Sequence, residues 1–357
     1  MTDNELLDLY SDYLISSFGQ TTSTGLAALL GGSISHDRIT RFLAGRPHTS
    51  ADLWQIVKPY VRQVQSADGV LIVDDSIAEK PSTDENDIVC WHYDHAQDRI
   101  VKGINFVTAL YHSQAVSLPV GFVLVAKTEY YIDKKDGQQK RRSPVSKNAH
   151  YRALLRQAVD NQIPFQYVLN DVWFASAENM QYVKRELSKD FVMPVKANRK
   201  VALSRADQQQ RRYVRVDTLT LEPNVTYEVY LEDVDCPLRL VKQVFVNGDG
   251  STGVLYLVTS DTTLPYDEIV SIYRKRWPIE PYHKSLKQNA SLAQSPTHTV
   301  VTQTNHFFAA LCGYIKLELL KVSTQTNHFA LKSRLYAQAL QTAFDVLRQL
   351  QPVRLAA

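Results

Sequence analysis

Two short apolar segments that each end in aspartate constrain the fold of this chain more than any other feature. They read GVLIVDD at 69–75 and FQYVLND at 165–171. Apolar runs of this length, bounded by polar residues, are typical of strands that are buried on both faces in the centre of an α/β sheet. We therefore predict an α/β fold in which two neighbouring strands each place an aspartate near their end.

The segments around these two strands predict how the sheet is built. Two further strands, 102–112 and 118–127, follow the first, and a helix from about 147 to 159 precedes the second. A helix over 177–187 comes next, so the order is β-β-β-α-β-α. Residues 66–194 are accordingly predicted to form the first part of a central core.

The second half of the chain departs from this order. Residues 195–265 contain short alternating strands and an Asn-Gly-Asp-Gly turn at 247–250, which together predict a β-rich insertion. Residues 266–357 return to helical patterns and are predicted to complete the core. The last two helices, 306–322 and 333–350, carry apolar stripes that suggest packing against its sheet.

Residues 1–65 are predicted to form a separate helical domain. Within it, residues 22–45 give a short helix, a Gly-Gly turn and a second helix that begins near Ser35. This is the shape of a helix-turn-helix, in which His36, Arg38 and Arg41 would face DNA. A plain helical hairpin that packs on the core, with the same three side chains in solvent, explains the pattern equally well.

A single acid lies within a basic and aromatic cluster at 273–287, YRKRWPIEPYHKSLK. Pro278 predicts a break followed by a helix, on which Glu280, Lys284 and Lys287 share one face. A carboxylate able to hold a divalent metal, beside cations that bind phosphates, suits the cleavage of a phosphodiester. The alternative is an ordinary surface helix with an ion pair between Glu280 and Lys284.

The cluster also carries the spacing Y-x2-R-x3-E-x6-K, formed by Tyr273, Arg276, Glu280 and Lys287. With this box the chain resembles the DDE transposases of bacterial insertion sequences, in the subgroup named for the Tyr-Arg-Glu-Lys box. The resemblance implies an RNase H-like catalytic domain with a β-rich insertion, in which the glutamate completes a triad with two aspartates. It also implies a homodimer assembled on DNA ends.

Carried onto this sequence, the triad is Asp75, Asp171 and Glu280. Asp74 and Asp75 point to opposite faces of a strand, so only one of them can face the other acids. We prefer Asp75, because the family pattern is an acid followed directly by a small hydroxyl residue, here Ser76; Asp74 is the alternative. About three carboxylates can hold two Mg²⁺ or Mn²⁺ ions, which stabilise both oxygens of an in-line displacement.

Some members of the family stack a flipped base on a tryptophan of the insertion, but none of the four tryptophans of this chain lies in 195–265. If a base is flipped here, the stacking ring must come from another aromatic residue, or this route is absent. The candidates are Tyr213, Tyr227, Tyr230 and Phe245.

Basic residues gather in three places, each beside a predicted strand end, and this favours a track for DNA over ordinary solvated faces. The formal net charge of +3 is too small to indicate a nucleic-acid partner by itself, so the clustering carries the argument. The residues assigned to DNA are Tyr273, Arg276, Lys284, Lys287, Arg141, Arg142, Arg199 and Lys200.

Composition excludes several other classes. With 44% hydrophobic and 22% charged residues the chain is globular, and no apolar run reaches the length that crosses a bilayer. Three cysteines, far apart and outside any C-x2-C spacing, argue against a disulfide framework or a zinc site. The N-terminus lacks the pattern of a signal peptide, so we expect a cytoplasmic protein, bound to the nucleoid of a bacterium.

The predicted function is that of a transposase, which cuts the terminal repeats of its element with metal-activated water and joins the freed 3′-hydroxyl to target DNA. One alternative is a non-catalytic helix-turn-helix protein from a decayed element. Another is an RNase H-like nuclease without strand transfer.

Overall fold

The computed structural model describes residues 1–350 except 95–96, 135 and 247. The chain divides into two compact units. The first contains Met1–Thr49, Ala78–Gly103 and the residues from Tyr282 onward, and the second contains Ser50–Ile77 and Ile104–Pro281. This division does not follow the four domains expected from the sequence, which stay predictions.

The described residues form a mixed α/β structure, as predicted. The helices are α1 Asp3–Ser16, α2 Ser23–Leu29, α3 His36–Leu43, α4 Ser50–Val64, α5 Lys147–Asp160, α6 Ala177–Gln181, α7 Arg205–Gln209, α8 Tyr266–Arg274, α9 Ile279–Gln288, α10 Val300–Thr324 and α11 His328–Leu350. The strands are β1 Val70–Glu79, β2 Val89–Asp94, β3 Arg99–Ser113, β4 Val116–Leu124, β5 Glu129–Ile132, β6 Gln139–Arg142, β7 Tyr167–Leu169, β8 Asp190–Val195, β9 Lys200–Ala202, β10 Val214–Arg215, β11 Thr226–Leu231, β12 Leu238–Val246 and β13 Thr252–Thr259.

Most of one large sheet lies in the second unit, where the strand order is β10-β9-β11-β12-β13-β8-β7-β1-β3, with β4 beside β3. β1, β7 and β8 are parallel neighbours, whereas β13 and the strands beyond it pair antiparallel. The strands predicted over 195–265 are therefore present, and they continue the central sheet through the β13–β8 pair. Asn247, the first residue of the predicted turn, lies outside the described residues. The strands before and after the turn pair with each other, Val246 of β12 with Thr252 of β13.

The core of the second unit forms around β1. Val70 to Val73 are fully buried, as expected for a strand with both faces covered. Helices α4 and α5 pack on β4. The residue directly before β1 is Gly69, and a larger residue would not fit there because its Cβ would clash with the ring of Tyr111.

In the first unit, α1 and α3 pack on α10. The predicted two-helix segment is present: α2 and α3 are joined through Gly31 and Gly32, whose φ of +61° and +77° favours glycine. Ser35 caps α3, as its sequence predicted. Ile39 and Leu43 are buried, while His36, Arg38 and Arg41 are exposed. Exposure of these three side chains fits both the helix-turn-helix and the plain hairpin.

The apolar stripes of the two C-terminal helices predicted packing against the core sheet. α10 is largely buried and packs on α1 and α3, and for α11 the prediction is wrong. Its first residue, His328, is buried against α9 and α10, where Ser285 and Glu318 bind its ring nitrogens. Lys332 then donates to carbonyls at the end of α1. Beyond this point the large apolar residues are exposed, namely Leu335, Tyr336, Leu340, Phe344, Val346, Leu347 and Leu350. No described helix has the length and apolar character of a membrane span.

Candidate active site

The parallel pairing of β1 with β7 sets the positions of the first two acids. Ile72 lies beside Leu169 in this register, so Asp74 and Asp171 are each two residues beyond a paired position, and the two carboxyl groups interact electrostatically. Asp171 follows the end of β7, as predicted. The strand end predicted near Asp75 is wrong, because β1 continues to Glu79.

Asp75 is held by two neighbours. Its Oδ2 accepts hydrogen bonds from Lys147 Nζ at 2.7 Å and from Asn105 Nδ2 at 2.8 Å. Lys147 is the first residue of α5, whose start is fixed by the Ser146 side chain, which accepts a bond from the Ala149 amide. The side chains of Asp75 and Lys147 are only 19% and 31% exposed, so the pair is partly shielded from water. Asp75 is thus already neutralised by a cation of the protein.

Asp171 is fixed by the loop that follows it. Its Oδ1 accepts bonds from the amides of Trp173 and Phe174, at 3.0 and 3.3 Å, so the carboxylate closes its own turn. The buried Asn170 accepts a bond from Tyr151 Oη at 2.9 Å and donates to the Asp171 carbonyl at 2.7 Å. The side chain of Asp171 is therefore anchored on one oxygen and keeps the other for a further partner.

Glu280 lies in the first turn of α9, and the break predicted at Pro278 is confirmed: α8 ends at Arg274 and α9 begins at Ile279. Both terminal nitrogens of Arg276 donate to Glu280 Oε1 at 3.1 Å. The guanidinium is only 16% exposed, whereas Glu280 is 48% exposed. The acid of this helix therefore pairs with Arg276, where the surface-helix alternative expected Lys284.

The carboxylates of Asp74 and Asp75 on β1 and of Asp171, which follows β7, repel one another. Burial and the charges of Asp171 and Asp75 raise the pKa of Asp74 well above its usual value, and Arg276 only partly offsets them. Burial also raises the pKa of Asp171, and the nearby charge of Asp75 adds to this effect. Crowded carboxylates with raised pKa values mark a place where negative charge lacks compensation, which is common at functional sites.

Arg276 is the cation that these groups share. Burial lowers its pKa, but Tyr273, Glu280 and Asp74 raise it above the usual value. Its guanidinium lies 5.8 Å from the centre of the Tyr273 ring. Burial raises the pKa of Tyr273 to about 12, and Asp171 and Asp74 contribute while Arg276 opposes them. The structure thus brings Tyr273, Arg276 and Glu280 together with the aspartates.

The other two basic residues of the box, Lys284 and Lys287, belong to the first unit. The Lys284 ammonium lies 5.1 Å from the ring centre of Phe329. Burial lowers the pKa of Lys287, although Asp94 and Glu79 raise it. Both residues are present on α9 as predicted, and their role in DNA binding stays a prediction.

The remaining residues assigned to DNA lie at two places in the second unit. Arg141 and Arg142 are on β6, which pairs with β5, and their guanidinium groups stack over Tyr130 and Tyr131. Arg199 and Lys200 line an open pocket of about 550 Å³ together with Val172, Ala175, Ala177, Val195, Lys196, Asn198, Glu232 and Asp233. One of the lining residues, Val172, directly follows Asp171 in the chain.

Among the described residues, no three His, Cys, Asp or Glu side chains form a group that could hold a metal ion as they stand. The donor set nevertheless fits Mg²⁺ or Mn²⁺ in its chemistry, since hard carboxylate oxygens are the ligands these ions prefer. Its surroundings fit as well, because burial, together with neighbouring carboxylates, raises the pKa of Asp74 and Asp171, and a bound cation would favour their ionised forms. Glu280 is directed to Arg276 and Asp75 to Lys147, which explains why the carboxylates do not converge.

Sequence reasoning missed some residues that surround the acids. Asn105 and Lys147 bind Asp75; the sequence placed Lys147 in the same basic cluster as Arg141 and Arg142 but did not pair it with an acid. Trp173 and Trp277 are both exposed, beside Asp171 and Arg276. The four aromatic residues expected to replace a tryptophan of the insertion are half-buried, except Phe245, which is exposed. Tyr230 donates to Glu228 and Tyr227 accepts from the Glu222 amide.

Comparison with protein families agrees with this arrangement. A family model described as "DDE superfamily endonuclease" matches residues 2–216, and one described as "Transposase DDE domain" matches residues 142–315. The first match covers more than half of the sequence, so the chain belongs to the DDE superfamily of endonucleases. Membership implies nuclease activity and supports the resemblance at the level of the superfamily. A search of curated proteins finds no match.

Proposed function

We propose that this protein is the transposase of a bacterial insertion sequence of the Tyr-Arg-Glu-Lys subgroup. It would cut the terminal repeats of its element and join the freed 3′-hydroxyl to target DNA. The observation that carries the proposal is that Arg276, which pairs with Glu280, also interacts electrostatically with Asp74 and Asp171 in one unit of a DDE family member. On this proposal the protein works in the bacterial cytoplasm, on the nucleoid.

The proposed catalytic fold is RNase H-like. The strand order β4-β3-β1-β7-β8, with β1, β7 and β8 parallel, supports this interpretation, since an acid follows or lies on two adjacent central strands. Glu280 would complete the triad from α9. The exposed His36, Arg38 and Arg41 would make α2 and α3 a helix-turn-helix for the element ends.

Glu280, Asp171 and one acid of β1 would hold two Mg²⁺ or Mn²⁺ ions. When bound, these ions supply positive charge that stabilises the attacking and leaving oxygens of phosphate displacement. For the β1 acid, the register and the proximity of Arg276 favour Asp74, the alternative to Asp75 that the sequence left open. The amides of Trp173 and Phe174 would orient the Asp171 carboxylate.

The basic residues would position DNA without reading its sequence. Arg141 and Arg142 on the β5–β6 ribbon, and Arg199 and Lys200 at the open pocket, would bind phosphates. Tyr273, Lys284 and Lys287 would add contacts along the box. We further propose a homodimer on DNA ends, and the exposed apolar residues of α11 offer a surface for it.

Glu280→Gln tests the proposed function. The substitution keeps volume and hydrogen bonding but removes a metal-binding charge, so nicking of plasmid DNA in Mn²⁺ should fall by about a thousandfold or more, at about 1.4 kcal/mol per tenfold. Duplex binding in Ca²⁺ should persist. Near-normal nicking by this variant would refute the site. Nicking without joined products in sequenced reactions would instead favour a nuclease that lacks strand transfer.

A further inference from the structure

The Arg276 guanidinium occupies a central position among the proposed catalytic acids. It donates twice to Glu280 and lies close enough to Asp74 and Asp171 to lower the pKa of both carboxyl groups. Its position is fixed locally, because the Arg276 amide donates to the Tyr273 carbonyl at 2.9 Å and the guanidinium stacks near the Tyr273 ring. A single side chain therefore pairs with the acid of α9 and also acts through its charge on Asp74 and Asp171.

Charge explains why this contact forms. When ionised, Asp74, Asp75, Asp171 and Glu280 carry four negative charges, against which Lys147 and Arg276 supply two. Lys147 is committed to Asp75 by a short bond supported by Asn105. Arg276 pairs with Glu280 and only partly offsets the raised pKa values of Asp74 and Asp171, so the acids together exceed these two cations in charge when ionised. Such an excess attracts divalent cations to the same oxygens.

We propose that Arg276 is an internal counter-ion that holds Glu280 before divalent cations bind, and that it exchanges this carboxylate for a DNA phosphate when they do. The proposal rests on the function proposed above. Metal ions and the guanidinium compete because they need the same carboxylate oxygens. The planar guanidinium suits both partners, since it forms paired hydrogen bonds with carboxylates and with phosphates.

The exchange couples metal binding to DNA binding. Before metal enters, Arg276 is neutralised by Glu280 and contributes little attraction to phosphate. After the exchange its charge is available, so the affinity for DNA rises without a rearrangement of the fold.

Calorimetric titration of the full chain with Mn²⁺, without DNA, tests the competition directly. Arg276→Gln should bind Mn²⁺ about tenfold more tightly than the wild type, the factor that one charge-assisted hydrogen bond is worth. Arg276→Lys keeps the charge but loses the paired donors, so its affinity should lie between the two. Arg274→Gln removes the same charge from an exposed neighbour and should leave the affinity unchanged.

Equal Mn²⁺ affinities for the wild type, Arg276→Gln and Arg276→Lys would overturn the proposal. If the wild type and Glu280→Gln bind Mn²⁺ alike, the metal site itself is refuted, and the role of Arg276 is refuted with it. The two failures are therefore distinguishable in one set of titrations. Arg276→Lys keeps the competition measurable should Arg276→Gln fail to fold.

Salt dependence of DNA binding provides an independent readout. The slope of log K against log[salt] should be the same for wild type and Arg276→Gln in chelator. In Ca²⁺ the wild-type slope should be steeper by about 0.9, the value for one phosphate contact on duplex DNA. A difference of the same size under both conditions would mean that Arg276 contacts phosphate regardless of metal, which contradicts the exchange.

Discussion

The substitutions Asp74→Asn and Asp75→Asn should separate two acids that are adjacent in the sequence but differ in their surroundings. Asp75 is neutralised by Lys147, whereas Asp74 interacts electrostatically with Asp171 and with Arg276. If Asp74 is the metal ligand of β1, its loss removes several kcal/mol of transition-state stabilisation. Cleavage should then fall by about a thousandfold, at about 1.4 kcal/mol per tenfold.

The two variants should rank in the opposite order in their free energies of unfolding and in their cleavage activity. A carboxyl group whose folded pKa is raised binds its proton more tightly in the folded state, so stability falls as pH rises from 3.8 through the raised pKa. Asp74→Asn removes this penalty and should stabilise the metal-free protein at pH 7 but not at pH 3. Asp75→Asn weakens a partly buried charged pair with Lys147 and should destabilise the folded protein by about 1–3 kcal/mol.

Plasmid nicking in Mn²⁺ and urea unfolding in chelator measure both effects on the same preparations. Asp75→Asn should cut within about tenfold of the wild type, because its carboxylate serves the Lys147 contact and not the reaction. Asp68→Asn is a matched control, since it removes an exposed acid that pairs with Lys275. The reasoning fails if Asp75→Asn loses cleavage as Glu280→Gln does while Asp74→Asn still cuts.

Two further predictions concern the first unit. Burial lowers the pKa of His306 to about 3, so the free energy of unfolding should fall below pH 6.5 by about 1.4 kcal/mol per pH unit. In His306→Gln the urea midpoint should depend less steeply on pH. An unchanged pH dependence would contradict this prediction. Leu340 and Leu347 are exposed and seven residues apart on α11, so their replacement by Glu should abolish a dimer seen by light scattering on DNA ends. A dimer that survives would exclude α11 as its interface.

Periodicity and turn residues predicted most of the elements correctly. The apolar run before Asp74 and the cap at Ser35 each specify local structure through a few neighbouring residues, so both could be predicted. Packing between distant segments is different. The apolar stripe of α11 resembles that of a buried helix, yet its large apolar side chains are exposed. The contacts of His328, Lys332 and Tyr336 anchor the first half of the helix.

The choice between Asp74 and Asp75 shows a second limit of sequence. Alternation says that the two side chains point to opposite faces, but it cannot say which face carries Asp171. That answer depends on the parallel register of β1 and β7, a pairing of residues almost a hundred positions apart. A pattern of an acid before a hydroxyl residue pointed to Asp75, and the register points to Asp74.

The structure gives a physical reason for the spacing of Arg276 and Glu280 that could not be predicted from the sequence alone. Pro278 interrupts the helix, yet the Glu280 amide donates to the Trp277 carbonyl and the Arg276 amide to the Tyr273 carbonyl, so the turn keeps the two side chains adjacent. Glu280 then lies in the first turn of α9, where a negative charge is favoured by the helix dipole. The break therefore lets one short segment supply an acid together with its own counter-ion. A continuous helix would also place residues four apart side by side, but Glu280 would then lose its position at a helix N-terminus.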